Sequence, residues 1–204
     1  CVEAVLGTPD FIYQGNMVSM ERPWRRITFA NALMEIGDVP GHVLEDEKAF
    51  RAWLQERDVA ATDLSLGYMW EAALSRFVQP LLLAPTFITH FPQDVSPFAK
   101  ATTDDDGLVE RFEIYWGGLE TGNGYSELND PREQRSRMEA MAGGGTKELS
   151  EQRVDEDYIL ALEHGMPPAA GFGVGIDRLM MLLTDSASIR DVILFPLLKP
   201  KKVD

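Results

Sequence analysis

Cysteine is almost missing from this chain: Cys1 is the only one in 204 residues. That excludes an intrachain disulfide and a cysteine-based metal site. Histidine is scarce as well, at three, so a bound metal falls to oxygen ligands or to those few imidazoles. Positive charge is also short, with 19 Lys and Arg against 33 Asp and Glu and a net charge of -14. A surface that tracks nucleic-acid phosphates is normally rich in Lys and Arg, so broad electrostatic binding to nucleic acid is disfavoured. No apolar run approaches the ~20 residues needed to cross a bilayer, and CVEAVLGTPD has neither a basic leader nor an apolar signal core. A cytoplasmic protein without a membrane anchor is expected. Internal repeats and low-complexity tracts are absent. The start at Cys rather than Met, reading straight into a strand-like stretch, suggests a piece of a longer protein.

What is present is an ordinary globular composition, 45% hydrophobic and 25% charged, enough for one sizeable core. Phe11, Ile12 and Tyr13 suggest a short strand closed by the turn-prone Gln14, Gly15 and Asn16. From about Ile27 to Val78 the period becomes helical. Phe50, Trp53 and Leu54 fall at i, i+3, i+4, and Tyr68, Met69, Ala72, Leu74 and Phe77 form a broad apolar stripe, the signature of core-facing helices. Pro80 ends that region, and LLLAPTFITHF reads as a buried strand. Three aspartates, 104 to 106, follow in a stretch read as a solvated turn rather than a metal site.

From Glu110 the period changes to two: Phe112, Ile114 and Trp116 face one way and Arg111, Glu113 and Tyr115 the other. Gly117 and Gly118 supply a hairpin turn into a second strand from Leu119 to about Leu128. Asp130, Pro131 and Glu133 stand at helix-start positions, predicting a helix to about Met141 that the glycines 143 to 145 end. A further helix is expected from about Asp155 to His164, with Gly165 just beyond it. AAGFGVGIDRLMMLLTD reads as a glycine-rich strand passing into an apolar helix, and SIRDVILFP as a short buried strand. The order of elements points to an α+β fold with an antiparallel sheet rather than alternating βαβ units.

Gly171, Gly173 and Gly175 alternate at period two, leaving one strand face without side chains. A flat ligand could approach such a face, and so could a closely packed helix; spacing alone does not choose. Asp177 and Arg178 follow at the strand-to-helix junction, where an arginine can stack on a base or approach phosphates, although a lone arginine is more often a surface ion pair. On a regular strand Asn123, Tyr125 and Glu127 share a face about 7 Å apart per two residues. An amide, an aromatic wall and a carboxylate suit a side chain with four methylenes and a cation, and equally an exposed polar strand face. Glu120 has the opposite parity, which keeps it out of a shared site unless the strand is irregular near Gly122 and Gly124.

FGVGIDRLMMLL resembles motif 3 of the class II aminoacyl-tRNA synthetases, and EHGMPPAAG and SIRDVILFPLLKP resemble the lysyl branch of that class. ETGNGYSELNDP is similar to that branch's lysine-pocket strand, and FITHFPQDVSPFAK to the strand and loop before it. The likeness runs from Val5 to Pro200. It implies part of the antiparallel class II catalytic fold with a helical insertion: residues 1–26 as a sheet segment after motif 2, 27–80 as the insertion, and 81–204 as the C-terminal catalytic subdomain.

By position, the resemblance implies that Glu113 and Glu120 hold magnesium against ATP. Asn123, Tyr125 and Glu127 would contact lysine, with Glu127 on its ε-ammonium. Glu120, Gly173, Gly175, Asp177 and Arg178 would line ATP, with Arg178 stacking on adenine and serving catalysis; no covalent nucleophile is implied. Lysine, ATP and tRNA(Lys) are the implied partners, and a homodimer would form through motif 1. Motifs 1 and 2 and the anticodon domain have no counterpart here, which accounts for the acidic balance and implies that the chain alone is inactive. A paralogous ligase that lysylates elongation factor P shares most of these motifs. It typically has alanine where Gly173 stands and histidine where Ser126 stands, so both positions favour the tRNA enzyme. A non-catalytic interaction module is the alternative outside enzymes.

Overall fold

The alternation that begins at Glu110 becomes the centre of the sheet. In the computed structural model, which describes residues 2–105, 107–144 and 154–196, strand β5 (Leu108–Trp116) pairs antiparallel with β6 (Leu119–Ser126). The turn between them has Gly117 at φ +57° and Gly118 at φ +76°, both in the region only glycine adopts freely and that a two-residue hairpin requires. β4 (Thr86–Pro92) pairs antiparallel with β5, and β7 (Ala170–Val174) with β6. β3 (Arg25–Thr28) lies parallel to β4, giving the order β3-β4-β5-β6-β7. The sheet is antiparallel apart from that one edge pair, as the α+β reading requires. β1 (Asp10–Tyr13) and β2 (Asn16–Ser19) form a separate hairpin around the expected Gln14–Gly15 turn.

The first residues are a short helix, α1 (Val2–Leu6), instead of running directly into a strand; only Val2 of it is buried. The helical region starts two residues later than expected, because Ile27 belongs to β3. The Thr28 hydroxyl then caps α2 (Phe29–Glu35) by accepting from Asn31 N. α3 (Gly41–Leu44) and α4 (Glu47–Gln55) follow, the latter capped by Asp46, and then α5 (Leu66–Ala73), which continues as a π-helical turn over Leu74–Val78. Phe29, Leu33, Phe50, Leu54 and Met69 are completely buried, in one cluster with Ile88, Phe91, Val109 and Tyr115 of the sheet. At ~1.5–3 kcal/mol for each large side chain taken from water, this cluster is the main source of stability.

α6 (Pro131–Gly144) begins at Asp130, whose Oδ1 accepts from Arg132 N at 2.9 Å. Gly145 lies outside the described residues. α7 (Glu156–Glu163) is capped by Asp155 and followed by Gly165 at φ +101°, as the sequence suggests. α8 (Ile176–Leu183) leaves β7 at Gly175, so Gly171 and Gly173 are in the strand and Gly175 is not. The expected closing strand does not form. Ile189–Asp191 is a 3-10 turn, and Leu194 and Phe195 are 88% and 90% exposed. The Ser188 hydroxyl accepts from Arg190 N and gives the backbone a local partner in place of a strand ladder.

Candidate active site on one face of the sheet

Glu120 reaches the site through a β-bulge. Down the hairpin the register pairs Glu113 with Asn123 and Ile114 with Gly122, then jumps so that Tyr115 faces Glu120. Thr121 is the extra residue; its hydroxyl donates to Ile114 O at 3.1 Å. Residues directly opposite share a face, so Arg111, Glu113 and Tyr115 lie with Tyr125, Asn123 and Glu120. The parity conflict read from the sequence is thereby removed by an irregularity just ahead of Gly122. On the other face Gly122 and Gly124 make room for rings. A Cβ on Gly124 would meet Phe112 Cζ at 2.7 Å and Gly171 O at 2.9 Å, and one on Gly122 would meet Phe172 at 3.2 Å.

Glu113 is buried and accepts from Arg111 Nη2 at 2.6 Å and from the Tyr115 hydroxyl. Burial pushes its carboxyl up from the ordinary value, with the bonds from Tyr115 and Arg111 opposing and the charge of Glu120 adding. Burial, and then the adjacent Glu113 carboxylate, push the Tyr115 phenol up, which keeps it a donor. Glu120 pairs with Arg178, whose Nη1 lies 3.1 Å from its Oε2 and donates to its backbone oxygen at 2.6 Å.

A cavity of about 340 Å3 is lined by Glu120, Asn123, Gly173, Gly175, Asp177 and Arg178 among others. Around Gly173 a Cβ would meet nothing nearer than Asn123 O at 3.9 Å. Among the described residues no helix packs there, so this glycine leaves open space. The remaining candidates are not part of that lining, and Tyr125 instead lines a separate cavity of about 330 Å3 with Arg111 and Gly171. Glu113 is buried in β5, paired across the strands with Asn123 of the cavity wall. Tyr125 packs against the core cluster. Glu127 is one residue past β6, bridged to Ala99. It is close to Tyr158, whose phenol is pushed up by burial and then by the Glu127 charge, and a Cβ on Gly171 would touch its Oε1 at 3.1 Å. A larger cavity of about 510 Å3, whose wall includes Gly67, Trp70, Asp94 and Arg137, contains none of these residues.

Three participants were not singled out from the sequence. Arg111 and Tyr115 share the strand face of Glu113, and the period-two pattern already carried that signal. Glu71, on α5, carried none: its carboxyl is pushed up to about 7 by burial, with Arg111 opposing and Glu113, Asp94 and Glu120 adding.

The chain that carries this face has relatives among known proteins. The family model for tRNA synthetases class II (D, K and N) matches residues 2–199. The chain belongs to this family. Among curated relatives of this class II synthetase chain, the lysine–tRNA ligase of Wolinella succinogenes is 45% identical over 202 residues, 98% of this chain and 40% of that protein. That of Nostoc punctiforme is 44% identical over 98% of this chain and 36% of its own length. That of a Nostoc species, strain PCC 7120, is 47% identical over 97% and 36%. The synthetase chain thus spans about two fifths of the relatives it matches. Among its described residues, no helix is long and apolar enough to cross a membrane.

Proposed function

We propose that this chain is the C-terminal part of the catalytic domain of a lysine–tRNA ligase. The observation that carries the reading is the bulge at Thr121, which brings Glu120 to the face of Glu113 and Asn123 beside Arg178; the names of the relatives point to lysine. The reaction joins the lysine carboxylate to the α-phosphate of ATP, releasing pyrophosphate, after which a terminal tRNA hydroxyl takes the lysyl group. Such chemistry asks for positioning and charge neutralisation rather than a protein nucleophile.

In this reading Glu127 accepts the ε-ammonium of lysine, with Tyr125 and Asn123 along the same side chain. Gly173, Gly175 and Asp177 leave room for and line ATP, and Arg178 exchanges its contact with Glu120 for the adenine ring. Glu113 and Glu120 fit magnesium. They are hard oxygen donors on one face, and the charge of Glu120 adds to the upward push on Glu113, a repulsion that a cation relieves. Among the described residues no group of three His, Cys, Asp or Glu is gathered, so a cation held by these two carboxylates would need further ligands from phosphate or water. Magnesium held there would neutralise phosphate charge. The divisions at 27 and 81 are retained, as are tRNA(Lys), dimerisation through a motif outside the chain, and a cytoplasmic setting.

The test is amino-acid-dependent pyrophosphate exchange by the full-length protein. Lysine should drive exchange while aspartate and asparagine do not. Exchange driven by either of those two instead of lysine overturns the assignment.

A further inference from the structure

Arg111 spends its donors in four directions at once. Its Nη1 donates to Val95 O at 3.0 Å and Ser96 Oγ at 2.8 Å, Nη2 to Glu113 Oε1 at 2.6 Å, and Nε to Asn123 Oδ1 at 3.2 Å. The guanidinium carbon lies 4.5 Å from the Phe91 ring centroid, and the side chain is only 15% exposed. Ring, loop and carboxylate therefore hold the plane of the fork in one orientation. A guanidinium has donors and no acceptor, so only the oxygen of the Asn123 amide can face it. The amide nitrogen is consequently turned away from Arg111, and it forms no hydrogen bond among the described residues. Asn123 lines the 340 Å3 cavity and pairs across the strands with Gly173, which contributes no side chain to cover it.

We propose that Arg111 is a positioning residue: it locks the Asn123 side chain so that Nδ2 is presented as a donor to an acceptor oxygen of the bound amino acid. The identity of that amino acid rests on the lysine reading above; the locking of the amide does not. In this proposal Arg111 makes no contact with the substrate, because four of its five N–H donors are engaged, its side chain is largely covered and Glu113 balances its charge. Lysine in its place would keep a positive charge beside Glu113 but could not reach Ser96, Glu113 and Asn123 together.

The experiment uses full-length protein, with lysine affinity measured by titration calorimetry without ATP. Arg111→Lys should weaken lysine binding about tenfold and leave ATP affinity within about twofold, whereas a merely structural defect would weaken both. Asn123→Ala should weaken lysine as well, and adding Arg111→Lys to it should cost nothing further, because both act through one amide. Losses that add, or an Arg111→Lys protein that binds lysine like the parent, overturn the proposal. A ligand-free measurement separates this from the lysine reading. With 15N-asparagine labelling, the side-chain amide of Asn123 should be ordered in the parent and averaged in Arg111→Lys, whatever amino acid binds. An amide equally ordered in both sinks the proposal even if the lysine reading stands.

Discussion

The helical layer and the β6–β7 edge are built on opposite terms. Between Phe29 and Val78 the helices bury Phe29, Phe50, Leu54 and Met69 completely, and ring stacks on ring, as Phe50 does on Trp53 at 5.9 Å. Along β7 every residue is exposed, Phe172 is 59% exposed, and glycine stands at two positions of five. The first region is held by contacts among its helices and with the sheet residues Ile88, Phe91, Val109 and Tyr115. The second is short of cover and of side chains on one face, and that is where the cavity with Glu120, Asn123 and Arg178 opens. The buried core and the open cavity thus belong to different parts of one sheet and its helices.

The comparison breaks most directly at Phe50. Phe50→Ala should cost about 3–5 kcal/mol, the cost of removing a fully buried ring and leaving its cavity. Phe172→Ala should cost about 1 kcal/mol or less, as for a surface position. Denaturant midpoints of both variants of this chain check it. Equal losses would mean that the edge is as cohesive as the helical layer.

Glu71 belongs to the helical layer but feels the charges of the site. Its folded value, about 7, lies above the ordinary 4.5, so the folded state keeps a proton that the unfolded chain has released. Its contribution is therefore complete below about pH 4.5 and lost as pH rises through 7. At 1.36 kcal/mol per unit the loss is up to about 3 kcal/mol. Glu71→Gln should remove this decline between pH 4.5 and 8. Unfolding curves of parent and variant that stay parallel across that window would show that Glu71 ionises without penalty.

Glu71 also marks where sequence reading stops. The hairpin was legible because alternation and a Gly-Gly pair are local facts, and the starts of α6 and α7 were legible because Asp130 and Asp155 are placed where caps act. The bulge at Thr121 was not: one inserted residue changes the face of every residue beyond it, and nothing in LETGNG says on which side of the insertion Glu120 falls. The closing VILF has strand composition, yet a Ser188 cap and a turn prevailed. How far a carboxylate on a helix is buried depends on what that helix packs against, which is why Glu71 escaped notice while Glu113, at a position that the family resemblance marks, did not.

At the edge itself, Glu127→Gln in the full-length protein tests whether the polar strand end selects lysine. The change keeps shape and removes the charge that the proposed reading sets against the ε-ammonium. A charge-assisted hydrogen bond is worth ~1.5–3 kcal/mol, so the lysine KM in pyrophosphate exchange should rise at least about tenfold, with the ATP KM nearly unchanged. An unaltered lysine KM would reduce Glu127 to an ordinary polar residue.

The smallest change in stability should come from Gly173, and its sign matters more than its size. At Gly124 a Cβ would drive into Phe112 and the Gly171 backbone, whereas at Gly173 the nearest atom is 3.9 Å away and the backbone φ is not in the left-handed region. Gly173→Ala therefore fits without strain, restricts the unfolded chain, and should stabilise by a few tenths up to about 1 kcal/mol. The same methyl protrudes into the cavity shared with Arg178. If that space exists for ATP, the ATP KM should rise several-fold while the melting temperature holds or increases. A variant that is more stable with an unchanged ATP KM would mean that the glycine keeps no room for nucleotide. One that is less stable would mean that the open face is filled by packing after all, and that the edge resembles the helical layer more than the exposure of β7 suggests.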